Sequence, residues 1–134
     1  MDWKDATAPD SADIEAMALA AVEALPERFR KPARGVALRV EEFASDAMLG
    51  DLGIKSPFEL TGLYDGIPLT QKSVSDQPDR PDTIWLFRRA ILDEWTDRGD
   101  VALADLVAHV MVHELAHHFG WSDDDIATID EWWT

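Results

Sequence analysis

The sequence predicts an α+β fold, with a small mixed sheet built from the middle of the chain and helices gathered at both ends. Three observations predict it. Segments with strand character lie together between residues 35 and 87. Helical periodicity fills residues 11–25 before them and most of the chain beyond residue 88. Strand and helix do not alternate as they would around a parallel sheet. At 134 residues the chain has the size of one domain, 1–134. Residues 1–10 are polar, contain Pro9 and read as a loose lead-in, and there is no internal repeat or Gly/Ser linker.

The elements follow in order. Ser11 or Asp10 can cap a first helix whose Ile14, Met17, Ala18, Ala21, Val22 and Leu25 share one face, with Pro26 as its stop. A second helical stretch, residues 27–30, is expected to end before Pro32. Residues 35–42 read as a strand, because Val36, Leu38 and Val40 alternate with Ala37, Arg39 and Glu41. Residues 43–52 suggest a short helix or turn closed by Gly53. Residues 60–64 form a second strand, ended by the turn pair Asp65-Gly66. Residues 68–81 are polar, carry Pro78 and Pro81, and predict a long loop. Residues 83–87 are β-branched and aromatic, which predicts a third strand, expected at the sheet edge. Past Arg88, Ile91, Leu92 and Trp95 return to helical spacing until Asp97-Arg98-Gly99. The longest helix is expected from Asp100 to about residue 119, and a last one from Ser122 to about Trp132.

Composition excludes several chemistries. There is no cysteine, so disulfides, thiolate catalysis and Cys-based metal sites are all ruled out, and any metal must be held by His and carboxylate. Asp plus Glu number 27 against 12 Lys plus Arg, a formal charge of -15. That balance argues against nucleic acid or an anionic membrane as partner and is compatible with cationic substrates. Met1-Asp2-Trp3-Lys4-Asp5 lacks a basic region leading into an apolar run, and no stretch has the apolar length of a membrane span. A cytoplasmic protein is the simplest expectation.

The longest helix carries the chemistry. It is apolar on most sides, the mark of a buried helix, yet it contains His113-Glu114-Leu115-Ala116-His117. His113 and His117 are one turn apart and share a face. Leu106 and Val110 fall within roughly 60° of them, and Glu114 lies about 100° away on the side of Leu103 and Val107. All three polar groups are thus placed on the inward face. Ionisable side chains are seldom buried unless paired or bound to metal. Zinc accounts for them: an i, i+4 histidine pair can aim both imidazoles at one ion, and the adjacent glutamate is then placed to take a proton from a water the metal activates. Gly120 can end the helix in a positive-φ conformation and let the chain reverse, bringing an acidic side chain back. Asp123 is the expected third ligand; Asp124 and Asp125 stand beside it, and Ser122 can instead cap the next helix. His109 reads as an ordinary helix residue and His118 as a packing or capping residue.

The string His113-Glu114-x-x-His117-x-x-Gly120-x-x-Asp123 resembles the hallmark of the minimal zincin-like family of small bacterial metallopeptidases. Phe29-Arg30, Gly62-Leu63-Tyr64 with Gly66-Ile67-Pro68-Leu69, the run Pro81 through Arg88, and Val112 through Asp123 carry the resemblance, which spans most of residues 14–130. The resemblance implies a reduced zincin fold: a small mixed sheet packed on an N-terminal helix and a buried active-site helix. It implies His113, His117 and Asp123 as Zn2+ ligands and Glu114 as general base. The expected function is a zinc-dependent hydrolase cleaving a peptide or protein substrate. In a zincin a peptide adds as a strand to an exposed sheet edge; here residues 83–87 are the expected edge and the 66–80 loop the cleft wall. Tyr64 and Arg88 can assist the oxyanion, against structural roles as a strand packing residue and a solvated strand end. Trp132 and Trp133 can cover the core or line the cleft. The rival classes are a non-catalytic zinc-stabilised interaction module and a hydrolase of non-peptide amides.

Overall fold

The computed structural model describes residues 8–66 and 82–120. The expected 68–81 loop, the helix from Ser122, Asp123 and the Trp132-Trp133 pair lie outside the described residues.

Helix α1 (Ser11–Glu23) begins at Asp10, which is the cap. Asp13 N–H donates to Asp10 Oδ1 at 2.8 Å and Asp10 N–H to Asp13 Oδ2 at 2.9 Å, a reciprocal capping box. Ile14, Ala18 and Val22 form its buried face. Helix α2 (Glu27–Arg34) runs through Pro32 instead of stopping before it. Tertiary contacts carry it over the lost hydrogen bond: Ala33 is buried in the core, and Arg34 reaches back to Glu23 of α1 through Nε–Oε1 at 3.0 Å and a second bond of 2.6 Å.

Strand β1 (Ala37–Glu41) turns Leu38 and Val40 toward the core, as its alternation requires. Helix α3 (Asp46–Leu52) is capped by Ser45 and closed by Gly53 at φ 70°, a conformation glycine adopts without Cβ strain. A 3-10 turn, Pro57–Glu59, leads to β2 (Gly62–Asp65), and β3 (Thr83–Phe87) occupies the expected five residues. Helix α4 (Arg88–Arg98) ends at Gly99, φ 76°. Helix α5 (Leu103–His118) starts three residues after Asp100, because the indole Nε1 of Trp95 donates to the Val101 carbonyl at 2.9 Å and holds the linker extended.

The sheet order is β1-β3-β2, with β1 and β3 parallel and β2 and β3 antiparallel. Placing residues 83–87 at the edge is therefore wrong: β3 is the central strand. Ile84 and Leu86 are buried on one face, Thr83 and Phe87 on the other, so a polar edge is not available to it. Among the described residues the edges are β1 and β2. The resulting fold is mixed α+β, with five described helices and a small mixed sheet.

Ile84 and Leu86 face α1 and α5, where Ile14, Ala18 and Val22 meet Leu106, Val107, Met111 and Leu115. Phe87 closes the opposite face with Ala44, Leu49 and Ala90. Register puts Gly62 opposite Leu86 and Tyr64 opposite Ile84, so both residues of β2 also face α5. Arg88 is not a solvated strand end. Its Nε donates to the Pro9 carbonyl at 2.6 Å and its guanidinium pairs with Glu42 at 2.8 Å, tying the approach to α1 onto the end of β1. No helix among the described residues is long and apolar enough to cross a membrane.

Candidate metal centre

Helix α5 presents two adjoining stripes of polar groups. Glu114 and His118, four residues apart, are buried at 7% and 5% exposure. His113 and His117 stand on the neighbouring stripe, half-buried, with ring centroids 5.1 Å apart in an edge-to-face arrangement. One donor atom from each of His113, Glu114 and His117 falls within 4.8 Å of the others. Among the described residues this is the group of three or more such side chains able to hold a metal ion.

The donor set fits zinc. Two imidazoles and a carboxylate match its preference for nitrogen and oxygen, and ligands about 2.0–2.1 Å from one ion sit roughly 3.3 Å from each other. Asp123, the expected third ligand, lies outside the described residues. Gly120 is at φ 85° with its N–H on the His117 carbonyl at 3.0 Å, so the helix does end in the left-handed turn its glycine predicts.

Strand β2 lies directly against this part of α5. A Cβ placed on Gly62 would stand 2.7 Å from Val110 Cγ1 and 3.3 Å from Glu114 Cγ, so only glycine permits the approach. A cleft of about 460 Å³ opens along the junction, lined by Gly62, His113 and Glu114 together with Leu52, Ile54 and Leu60. His109 lines the same cleft, its ring 6.4 Å from that of His113, but does not join the donor cluster.

Tyr64 and His118 are joined in a way the sequence did not reveal. The Tyr64 hydroxyl donates to Asp82 Oδ2 at 2.7 Å and lies 2.9 Å from His118 Nδ1, which is itself 3.2 Å from Asp82 Oδ2. The phenol has one proton, and Asp82 receives it. The His118 tautomer with its proton on Nδ1 would complete the cluster, donating toward the Tyr64 oxygen and the carboxylate. Burial above all, then the hydrogen bond and charge of Asp82 and the charge of Asp65, hold the Tyr64 phenol protonated well above its ordinary range. Tyr64 is thus committed to Asp82 and His118. Arg88 is committed to Pro9 and Glu42, and it is absent from the cleft lining.

Two residues escaped sequence reasoning. Asp82 was given no role of its own within the run Pro81 through Arg88; it is 8% exposed, and a Cβ on Gly66 would fall 2.5–2.8 Å from three of its atoms. Gly62 was given no role of its own within the expected strand 60–64, although a glycine inside a strand is a signal of close backbone approach.

The model of a family described as zincin-like metallopeptidase matches residues 33–133, about three quarters of the chain, including α5 and its histidines. A comparison with curated proteins found no match.

Proposed function

From the premise that the chain belongs to the zincin-like metallopeptidase family, we propose that it is a zinc-dependent peptidase, with His113, His117 and Asp123 as ligands and Glu114 as general base. The observation that carries this reading is the convergence of His113, Glu114 and His117 within 4.8 Å, with His113 and Glu114 lining a cleft that runs along β2.

Zinc, when bound, supplies Lewis acidity for the attacking water and for the carbonyl oxygen. The protein's own groups do the rest. Glu114 is buried on the cleft wall, one residue from His113, where its carboxylate takes the proton of the attacking water and returns it to the leaving amine. His113 and His117, both half-buried and one turn apart on α5, would hold the ion through their imidazole nitrogens. Substrate backbone lies along β2, the sheet edge beside α5, which replaces β3 in that role; Leu52, Ile54 and Leu60 receive apolar side chains across the cleft. The acidic balance of the chain favours substrates carrying positive charge elsewhere.

A peptide-library cleavage screen of the zinc-loaded protein, with Glu114→Gln as control, tests the assignment. The parent cleaves, and the variant keeps stoichiometric zinc and loses cleavage by about 10²–10⁴-fold, the range for a lost general base. A variant that cleaves as fast as the parent refutes the role of Glu114. A parent that binds zinc and cleaves nothing in the library is instead the interaction module or the non-peptide amidase. Asp123→Ala, compared with Asp124→Ala and Asp125→Ala, identifies the third ligand by loss of zinc affinity.

A further inference from the structure

Helix α5 and strand β2 run side by side and touch at two places. Gly62 meets Val110 and Glu114 in the middle of the helix, and Tyr64 meets His118 at its last residue. The spacings agree: two strand residues advance about 6.7 Å, and the four residues from Glu114 to His118 advance about 6 Å. His113 and His117 lie on the next stripe of the helix, so the contacts that fix the rotation of the Glu114/His118 stripe also fix theirs. The first contact is steric closeness around a glycine. The second is polar, and it holds the weaker end. His117 sits in the final turn, whose carbonyls lack onward helical partners and where helices fray.

We infer that the Tyr64–Asp82–His118 cluster is a positioning latch for the metal centre, setting the last turn of α5 so that His117 is presented with His113. The inference rests on reading both histidines as zinc ligands. Its parts come from three places in the chain: Tyr64 from β2, Asp82 from the residue before β3, and His118 from the helix end. Asp82 accepts from Tyr64 and lies 3.2 Å from His118 Nδ1, and Gly66 packs close over its carboxylate, closer than any side chain would allow. None of the three belongs to the donor cluster. The latch residues are positioning residues: they act on the metal through the orientation of His117.

The test uses the full chain with Tyr64→Phe, Asp82→Asn, His118→Leu and His118→Asn. Val22→Ala, a core change on α1, is the control for general destabilisation. Zinc affinity is read by competition with a chromophoric chelator, and the visible spectrum is read on the cobalt-substituted protein. Amide hydrogen exchange is followed in the metal-free protein. Tyr64→Phe, Asp82→Asn and His118→Leu weaken zinc binding by about 10–100-fold, the range for groups that orient a ligand. They also alter the cobalt spectrum and speed exchange at residues 115–119 more than at residues 106–110. His118→Asn, whose amide can replace the Nδ1 donor, recovers most of the affinity. Val22→Ala lowers thermal stability without changing zinc affinity or spectrum. Latch variants that keep parental affinity and spectrum while only melting earlier overturn the inference and leave the zinc reading intact. A parent that takes up no metal, with the last turn still loosened in the variants, overturns the zinc reading and with it the metal role of the latch. Tyr64→Phe keeps the ring and removes one oxygen, so it stays informative if the other variants fail to fold.

Discussion

Substituting Gly62 by alanine adds one methyl group at the point where β2 meets α5. Its Cβ would lie 2.7 Å from Val110 Cγ1, about 1 Å inside an ordinary carbon–carbon contact. Glu114 Cγ at 3.3 Å and the Trp85 carbonyl at 3.4 Å close off sideways relief. Val110 is 6% exposed and β-branched, so it cannot rotate away within the helix. Overpacking of this kind costs about 1–3 kcal/mol. Alanine recovers about 0.4–1 kcal/mol by restricting the unfolded chain. The net loss is about 1–2 kcal/mol, which for a chain of this length lowers the melting temperature by about 4–7 °C. Gly50 is the internal control. It lies within α3 with nothing inside 4 Å of its Cβ, so Gly50→Ala stabilises by about 0.5–1 kcal/mol through helix propensity. Urea unfolding of both variants, and of Gly62→Ala combined with Val110→Ala, measures the effect. Removing Cγ1 relieves the overlap, so the double variant is more stable than the summed single effects by about 1 kcal/mol or more. Additivity within about 0.3 kcal/mol, or a Gly62→Ala protein as stable as Gly50→Ala, refutes the close approach of β2 to α5.

Three further outcomes are expected. Tyr64 is the only tyrosine, and its phenol is held protonated above its ordinary value of about 10. The stability this contributes is whole below pH 10 and is lost as pH rises through the raised folded value, because the unfolded chain ionises first. Stability curves of the parent and Tyr64→Phe therefore converge on alkaline titration, and parallel curves above pH 10 contradict the buried phenol. Zinc at a thousand times its dissociation constant raises unfolding free energy by about 4 kcal/mol, and chelator reverses it; calorimetry that finds no zinc-dependent shift excludes a native-state site. Gly99→Ala forces a side chain to φ 76° with open space around it, so backbone strain alone lowers stability by about 1–2 kcal/mol. Gly99→Asn costs less, and equal losses for the two would point away from backbone strain.

What could be read in the sequence was what local pattern determines. Residues 83–87 are β-branched and aromatic and form β3 with those bounds; Gly53 and Gly99 end helices at positive φ; the apolar helix with histidines at 113 and 117 is buried as its periodicity requires. The mixed α+β class followed from the same patterns. Strand order did not. It depends on long-range pairing, although the unbroken run Ile84-Trp85-Leu86-Phe87 carried a hint of a strand covered on both faces. The passage of α2 through Pro32 was equally hidden, since it depends on the core around Ala33 and the Glu23–Arg34 pair. In the candidate site, the clustering of His113, Glu114 and His117 was readable from spacing alone. Asp82 was not, because its partners are 18 and 36 residues away and no local pattern links them.

The place of β3 in the sheet has a consequence for synthesis. The strand that joins the other two is the last to leave the ribosome. Until residue 87 emerges, β1 and β2 have no mutual hydrogen bonds to make, for they are not neighbours in the sheet. The nascent chain must carry both as unpaired segments, and closing the parallel β1–β3 pair then joins residues some 46 positions apart. Helix α5 begins sixteen residues beyond β3, after α4, so the sheet can close before the helix with His113 and His117 is available to pack on it. A ribosome-stalled chain ending before β3 therefore exposes unpaired strand edges of the kind chaperones bind.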